Sequence, residues 1–197
     1  MTFSEIGIYA CLWLSFGVVH SLLASQSAKR YFAPLLGSGY RLGYNLFAAL
    51  HIALIIIGGH IVLGAASAPL DWPTGADTAL IVVRWAGIAI IMVALTQYDL
   101  GQFSGLAQLR RKHLDEERLH ISGMHRYIRH PLYLGAHLYL WGGAQDEFGL
   151  QTALWGSIYL VIGTWFEERR LLTQFGPAYA VYKASVPMLL PTRGRAI

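Results

Sequence analysis

Two short stretches hold most of the concentrated polar chemistry of this chain. They are Gly123-Met-His-Arg-Tyr-Ile-Arg-His-Pro-Leu-Tyr-Leu-Gly135 and Trp165-Phe-Glu-Glu-Arg-Arg-Leu-Leu-Thr-Gln-Phe-Gly176. Proline suits the first position of a helix and pushes the residue before it towards an extended conformation, so Pro131 is expected to open a helix directly after His130. The N–H groups of that helix start, with Arg126 and Arg129 beside them, would accept a carboxylate or a phosphate. Leu132, Tyr133, Ala136, Tyr139 and Leu140 recur at helical spacing and would floor such a site with apolar and aromatic surface. Aromatic faces also suit a cationic ligand.

Glu167 and Glu168 supply the opposite charge. Both fall at the end of an apolar run, where the dipole of a helix disfavours carboxylates, so both call for partners: Arg129, Arg170, or the amine and hydroxyls of a ligand. An anion-accepting end, carboxylates and aromatic walls together fit S-adenosyl-L-methionine, which presents an amino-acid group, a ribose and a sulfonium. The same residues would also serve a plainer end, as a basic membrane anchor tied by ion pairs.

The elements that must position these groups are built for lipid. The chain of 197 residues is 55% hydrophobic and 13% charged, too little polar surface to cover a soluble globule. About twenty apolar residues cross a hydrocarbon core of about 30 Å. Ile6–Ala24, Leu42–Leu63, Ala79–Gln97 and Gly149–Phe166 approach that length, and Pro131–Ala144 is a shorter fifth segment that needs a thinned bilayer or surrounding protein. The expectation is one all-α membrane domain of five transmembrane helices over residues 1–197. Residues 1–97 would form the first three helices on the acceptor side. Residues 98–197 would supply a cofactor-binding loop, a helical hairpin and the tail.

Charge placement orients that bundle. Fourteen of the fifteen Lys and Arg residues fall in three regions: Lys29, Arg30 and Arg41; Arg110 through Arg129; and Arg169 to Arg195. Only Arg84 stands apart. The connections at 65–78 and 145–149 carry acids and no Lys or Arg. The positive-inside rule then places the N-terminus outside, and both basic segments and the C-terminus in the cytoplasm. The net charge of +4 therefore describes topology and an anionic lipid surface as partner, not nucleic acid, because no aromatics interleave the basic residues. A cleaved leader is disfavoured, since no Lys or Arg precedes the first apolar run.

The remaining polar residues give weaker signals. A single Cys11 excludes an internal disulfide and a thiolate metal cage. His113, His120, His125 and His130 lack the spacing of a metal cluster, so no metal is expected, although two facing histidines would leave a haem open. His20, His51, His60 and His137 lie inside apolar runs, where ionisable residues are functional candidates as well as packing residues. His20, with Asn45, is the better candidate to line an acceptor pocket. The segment Tyr98–His130 reads as an inside connector whose centre, Leu109–His120, forms a surface helix or hairpin.

The order Gly123, Tyr127, Arg129-His130-Pro131, Tyr133, Gly135, then Glu167-Glu168, Phe175-Gly176, Tyr179, Tyr182 and Pro187-Met-Leu-Leu-Pro191 resembles the superfamily of isoprenylcysteine carboxyl methyltransferases and phospholipid methyltransferases. The likeness runs over about residues 120–191. It implies a small helical membrane methyltransferase that binds S-adenosyl-L-methionine on its cytoplasmic side. The residues carried over as its cofactor shell are Gly123, Tyr127, Arg129, His130, Pro131, Tyr133, Gly135, Glu167 and Glu168. Phe16 to Ala24, Arg41 to Asn45, and Tyr98-Asp99-Leu100 with Phe103, Gly105, Leu106 and Gln108 are similar to bacterial thiol methyltransferases of that superfamily. Here two residues separate the Asp-Leu and Phe-Gly-Leu elements, and Ala107 stands where those enzymes carry Arg.

That resemblance implies S-methylation of a small thiol such as methanethiol or hydrogen sulfide, in a bacterial inner membrane with the site facing the cytoplasm. It leaves open a lipid-borne acceptor, either a prenylcysteine carboxylate or a phospholipid amine, and a non-catalytic protein that kept the fold. Methyl transfer needs in-line positioning and a thiolate. His130 is the candidate base, with Glu168 or Asp99 beside it, and Arg126 the candidate stabiliser of the anion. His20, Asn45, Tyr98 and Gln108 are the candidate substrate contacts.

Overall fold

The computed structural model describes residues 1–64, 67–110 and 119–192. Among these the fold is all-α, with only an isolated antiparallel bridge between Pro69 and Asp146. The helices are α1 (Phe3–Ala24), α2 (Gln26–Leu36), α3 (Tyr40–Leu63), α4 (Ala76–Leu95), α5 (Leu100–Ser104), α6 (Leu106–Arg110), α7 (Pro131–Trp141), α8 (Glu147–Phe175) and α9 (Pro177–Ser185). Single 3₁₀ turns occupy Gly37–Gly39 and Gly123–Arg126. The expected surface helix or hairpin at Leu109–His120 lies largely outside the described residues.

Three stretches are long and apolar enough to cross a membrane: α1, the run of α2 and α3, and α4. They leave large apolar side chains such as Leu14, Ile61, Val82 and Trp85 exposed, as a lipid-facing surface requires. The segment expected over Pro131–Ala144 is shorter still as a helix. It ends as a helix at Trp141, and its eleven residues reach about 16 Å at 1.5 Å per residue. In α8 the expected apolar run continues without a break through Glu167 and Glu168 to Phe175.

The chain forms two compact units. The first comprises Met1–Pro69, Tyr98–Glu116 and Asp146–Phe148, and the second Leu70–Gln97, Glu117–Gln145 and Gly149–Ile197. The long helix α4 thus belongs with the C-terminal half.

In the first unit Thr2 starts α1 with a reciprocal capping box: its hydroxyl accepts from the Glu5 N–H, and the Glu5 carboxylate accepts from the Thr2 N–H. Helices α1 and α3 pack antiparallel, with the Tyr9 ring laid on Gly59, Leu12 on Gly58, and His20 opposite Tyr44. Ser25, in extended conformation, ends α1 and caps α2 by accepting from the Ala28 N–H. Gly37, at positive φ, ends α2.

In the second unit small residues bring α4 and α7 into backbone contact. A Cβ on Gly87 would sit 2.5 Å from the Tyr139 nitrogen, and one on Gly135 would sit 2.7 Å from Ile91. Helix α8 runs antiparallel to α7. Trp141 Nε1 donates to Ser157 near one end of the hairpin, and His130 donates to Glu168 near the other. Tyr179, Tyr182 and Val186 form a small buried cluster flanked by Leu119, Leu171 and Phe175, which seats α9.

Candidate active site

The second unit brings both polar stretches of the sequence together. His130 adopts φ −127° and ψ 68°, and Pro131 opens α7 at its first position, as its place before an apolar run requires. The approach to this helix start is built by three contacts. Gln97 Oε1 accepts from the Met124 N–H at 3.0 Å. Gly123, at φ +58°, lies so close to the Gln97 side chain that a Cβ would clash at 2.5 Å. His125 Nδ1 donates to the Arg129 carbonyl at 3.1 Å, which fixes its tautomer.

Glu168 is the hub. Its carboxylate, 4% exposed, accepts from Arg129 Nε at 2.7 Å and Nη2 at 2.5 Å, from His130 Nε2 at 3.2 Å and from Lys183 Nζ at 2.6 Å. Burial alone would raise its pKa; the hydrogen bonds from Lys183, Arg129 and His130 outweigh that and hold the carboxyl below the usual range. Arg129 Nη1 donates to the carbonyls of Lys183 and Val186. The N–H groups of Arg129 and His130 donate to the carbonyls of Pro187 and Met188 at 2.9 and 3.1 Å. Tyr182 donates its hydroxyl to the His125 carbonyl at 2.6 Å. The segment after α9 is thereby strapped across the Arg-His-Pro turn.

Lys183 and these carbonyls were invisible to sequence reasoning, although the matching Tyr179, Tyr182 and Pro187–Pro191 pattern marked the region. Burial holds the His125 imidazole down to about 4, against the pull of its bond to Arg129. Beside the strap, a cavity of about 260 Å³ is lined by Arg129, Lys183, Val186, Pro187, Met188 and Thr192, among others.

Glu167 stands differently. Its Oε2 is buried without a hydrogen-bond partner among the described residues and lies 3.8 Å from His130 Nδ1. The His130 imidazole is therefore lodged between two carboxylates, with Nε2 committed to Glu168 and Nδ1 turned towards Glu167. The Tyr133 ring meets the His130 ring edge-on at 5.5 Å. At the start of α7 the first-turn N–H groups of Leu132 and Tyr133 have no acceptor within their own helix. Tyr133 is hydrogen-bonded through its hydroxyl to the Glu167 carboxylate, which leaves Glu167 Oε2 as the buried side-chain acceptor at this helix start that no hydrogen bond satisfies among the described residues.

Other expected residues take different places. Arg126 and Tyr127 are exposed on the 3₁₀ turn and just after it. Gly135 is buried against α4, where its lack of a side chain lets two helices meet. Asp99 caps α5 by accepting from the Gln102 N–H at 3.0 Å.

His20, Asn45, Tyr98, Asp99 and Gln108 all belong to the first unit. His20 Nε2 and the Tyr44 hydroxyl are 2.5 Å apart. Asn45 donates to the carbonyls of Phe103 and Ser104, each at 2.9 Å, which clamps α5 to α3. Gly105, at φ +97°, completes the clamp by lying on the backbone of Leu42. Tyr98 meets Phe103 ring to ring at 5.8 Å. Gln108 donates to the Gln102 carbonyl at 3.2 Å, which fixes its amide and leaves Oε1 buried without a hydrogen-bond partner among the described residues. Deeper in the α1–α3 contact, His51 Nε2 lies 3.3 Å from the Ser15 hydroxyl.

Residues 40–186 match the family described as protein of unknown function (DUF1295). The chain is similar to methanethiol S-methyltransferase 2 of Bradyrhizobium diazoefficiens, at 30% identity over 89% of this chain and 69% of that protein. It is similar to methanethiol S-methyltransferase of Pseudomonas deceptionensis, at 28% identity over 91% of this chain and 70% of that protein. It is also similar to methanethiol S-methyltransferase of Mycobacterium tuberculosis, at 29% identity over 89% and 74%. No solved structure matches. The Arg129–Glu168 hub and the helix start at Pro131 both fall inside the matched span, and the chain belongs to the DUF1295 family, among membrane proteins related to the methanethiol S-methyltransferases.

Proposed function

We propose that this protein is an S-adenosyl-L-methionine-dependent membrane methyltransferase that S-methylates a small thiol such as methanethiol or hydrogen sulfide. The observation that carries the reading is the unsatisfied Glu167 Oε2, set beside His130 Nδ1 and the first N–H groups of α7, in a chain whose relatives are methanethiol S-methyltransferases. That set fits the cofactor by its chemistry. The helix start accepts a carboxylate, and Glu167 accepts from an ammonium or from ribose hydroxyls. Bound there, S-adenosyl-L-methionine supplies a methyl group activated by its sulfonium.

The chain's own residues divide the work. Glu168 does not meet the ligand; it locks Arg129, Lys183 and His130 so that the turn before α7 holds its shape. Glu167 is the ligand-facing carboxylate. The thiol sulfur gains the methyl as the methyl–sulfonium bond breaks, leaving S-adenosylhomocysteine, and the thiol proton passes to His130 Nδ1, the nitrogen that Glu168 does not hold. Tyr98, Gln108 and His20 are the acceptor contacts by resemblance, with Asn45 and Asp99 shaping the segment that carries two of them.

Five crossings, with the N-terminus outside and the α8–α9 end in the cytoplasm of a bacterial cell, agree with the basic clusters and the three apolar helices. In this topology α7 and α8 cross as a hairpin, with the shorter α7 shielded by α4. Titration of detergent-solubilised protein with S-adenosyl-L-methionine and S-adenosylhomocysteine tests the cofactor assignment. Wild type is expected to bind both, and Glu167→Gln to bind ten- to a hundredfold more weakly. Wild-type protein that binds neither would remove the basis of the proposal.

A further inference from the structure

Helix α2 plays no part in the chemistry above, yet its sequence is ordered. Ala28, Tyr31, Phe32, Leu35 and Leu36 follow the spacing of a single apolar stripe, whereas Gln26, Ser27, Lys29 and Arg30 fall off it. None of its residues is buried. Phe32 and Ala28 are half-covered, but Tyr31 is 73% exposed, Leu35 76% and Leu36 52%. A soluble loop helix would turn these side chains inward.

The opposite face has to be wet. Pro34 lies inside the helix and has no N–H, so the Arg30 carbonyl one turn earlier receives no helical bond and needs a water donor. That carbonyl lies on the side of Arg30, away from the stripe. The helix is also tethered at both ends. Ser25 alone separates it from α1, and one 3₁₀ turn separates it from α3; α1 is long and apolar enough to cross a membrane, and in the apolar run Gln26–Leu63 the 24-residue α3 has the length to do so by itself. Helix α2 must therefore lie where their ends emerge. No Asp or Glu occurs between Glu5 and Asp71, so this stretch contains no acid to neutralise Lys29 and Arg30.

We propose that α2 is an in-plane interfacial helix that docks on anionic phospholipids, with Tyr31, Leu35 and Leu36 in the acyl boundary and Lys29 and Arg30 drawing phosphatidylglycerol-type headgroups around it. This is the arrangement that amphipathic helices with basic polar faces adopt at a bilayer surface. It gives the N-terminal helices a lipid-selective collar independent of the methyltransferase reading. It rests only on α1 and α3 crossing the bilayer.

The test uses the full chain with Cys11→Ser, carrying Leu35→Cys or Arg30→Cys labelled with an environment-sensitive fluorophore. The protein is placed in phosphatidylcholine vesicles with or without phosphatidylglycerol. Position 35 is expected to be quenched by lipids spin-labelled high on the acyl chain and shielded from aqueous iodide, and position 30 to be open to iodide and less quenched by those lipids. Spin-labelled phosphatidylglycerol should quench position 35 more than spin-labelled phosphatidylcholine does. Lys29→Gln with Arg30→Gln should reduce that preference by about fivefold or more, since each basic side chain near an anionic surface contributes about a factor of five.

Iodide reaching position 35 as readily as position 30 would overturn the proposal, because the stripe would then face water. Shielding of position 35 from both iodide and spin-labelled lipid would also overturn it, because protein would then cover the stripe. Equal quenching by the two lipids in wild type would overturn the anionic preference.

Discussion

Replacing Glu168 by Gln removes one charge at nearly constant volume and strands the groups gathered around it. Arg129, 8% exposed, would keep only the carbonyls of Lys183 and Val186, and both Lys183 and His130 would lose their carboxylate. Breaking a buried ion pair from one side costs about 3–5 kcal/mol. The half-exposed Lys183 adds little because solvent screens it. A loss of 1 kcal/mol lowers Tm by about 2–4 °C in a chain of this size, so Glu168→Gln should melt roughly 6–20 °C lower. Glu167→Gln removes an equal charge one residue away. Its side chain is 30% exposed, its pair with His130 is long, and Gln can still accept from Tyr133, so Tm should stay within about 2 °C of wild type, the change expected for less than 1 kcal/mol. Cofactor affinity should instead fall by ten- to a hundredfold, the equivalent of a charge-assisted hydrogen bond of roughly 1.5–3 kcal/mol. Thermal unfolding in detergent without cofactor, paired with cofactor titration, reads both effects. If Glu168→Gln melts like wild type, or if Glu167→Gln loses the stability instead and binds normally, the division of labour between the two carboxylates is wrong.

Acid should loosen the strap over the Arg-His-Pro turn. His125 has a folded pKa of about 4 against an ordinary 6.5, so the unfolded chain takes up the proton first. Stability therefore falls as pH drops from about 6.5 to 4, by up to about 3 kcal/mol. Glu168, held below its ordinary 4.5, extends the loss below that value, and His125→Gln should flatten only the upper part of the profile measured by thermal melts. Gly87→Ala should cost about 1–3 kcal/mol because its methyl meets the backbone at Tyr139, whereas Gly43→Ala, with open space around it, should cost nothing in the same assay. In a Cys11→Ser background, impermeant thiol reagents should label Trp72→Cys from outside and Lys29→Cys only after the cell is opened; labelling of both from one side would contradict the five-crossing topology.

Much of the helical layout was legible because apolar runs in a lipid-bound chain are long and their ends are punctuated. Pro131 marks a start that local chemistry dictates, whereas the caps at Thr2, Ser25 and Gly75 emerge only from the structure, which begins α1 at Phe3 and α4 at Ala76. The pairing of Arg129 with a glutamate was expected, but for the wrong reason: α8 runs on to Phe175, so no helix end disfavours Glu167 or Glu168, and it is burial that makes the Glu168 carboxylate need Arg129. What could not be read was which glutamate. Positions 167 and 168 differ by about 100° around a helix, and only the packing of α9 decides which of them meets Arg129 and Lys183. Gly135 belonged to a matching motif yet serves the contact between α4 and α7, because spacing does not separate a glycine that admits a ligand from one that admits a helix. Asn45 looked like a substrate contact and spends its amide hydrogens on two carbonyls. Helix α2 falls in a basic connection between two expected spans; eleven residues are too few for a span, and its stripe becomes visible only with the bounds of the helix in hand.

The central claim is tested most directly by incubating the purified protein, in vesicles, with S-adenosyl-L-methionine bearing a labelled methyl group and with methanethiol, hydrogen sulfide, prenylcysteine and phosphatidylethanolamine in parallel. The prediction is labelled dimethyl sulfide from methanethiol, or labelled methanethiol from hydrogen sulfide, with transfer reduced at least tenfold by Glu167→Gln. Label passing to prenylcysteine or phosphatidylethanolamine and to no thiol, or to none of the four despite bound cofactor, would contradict it.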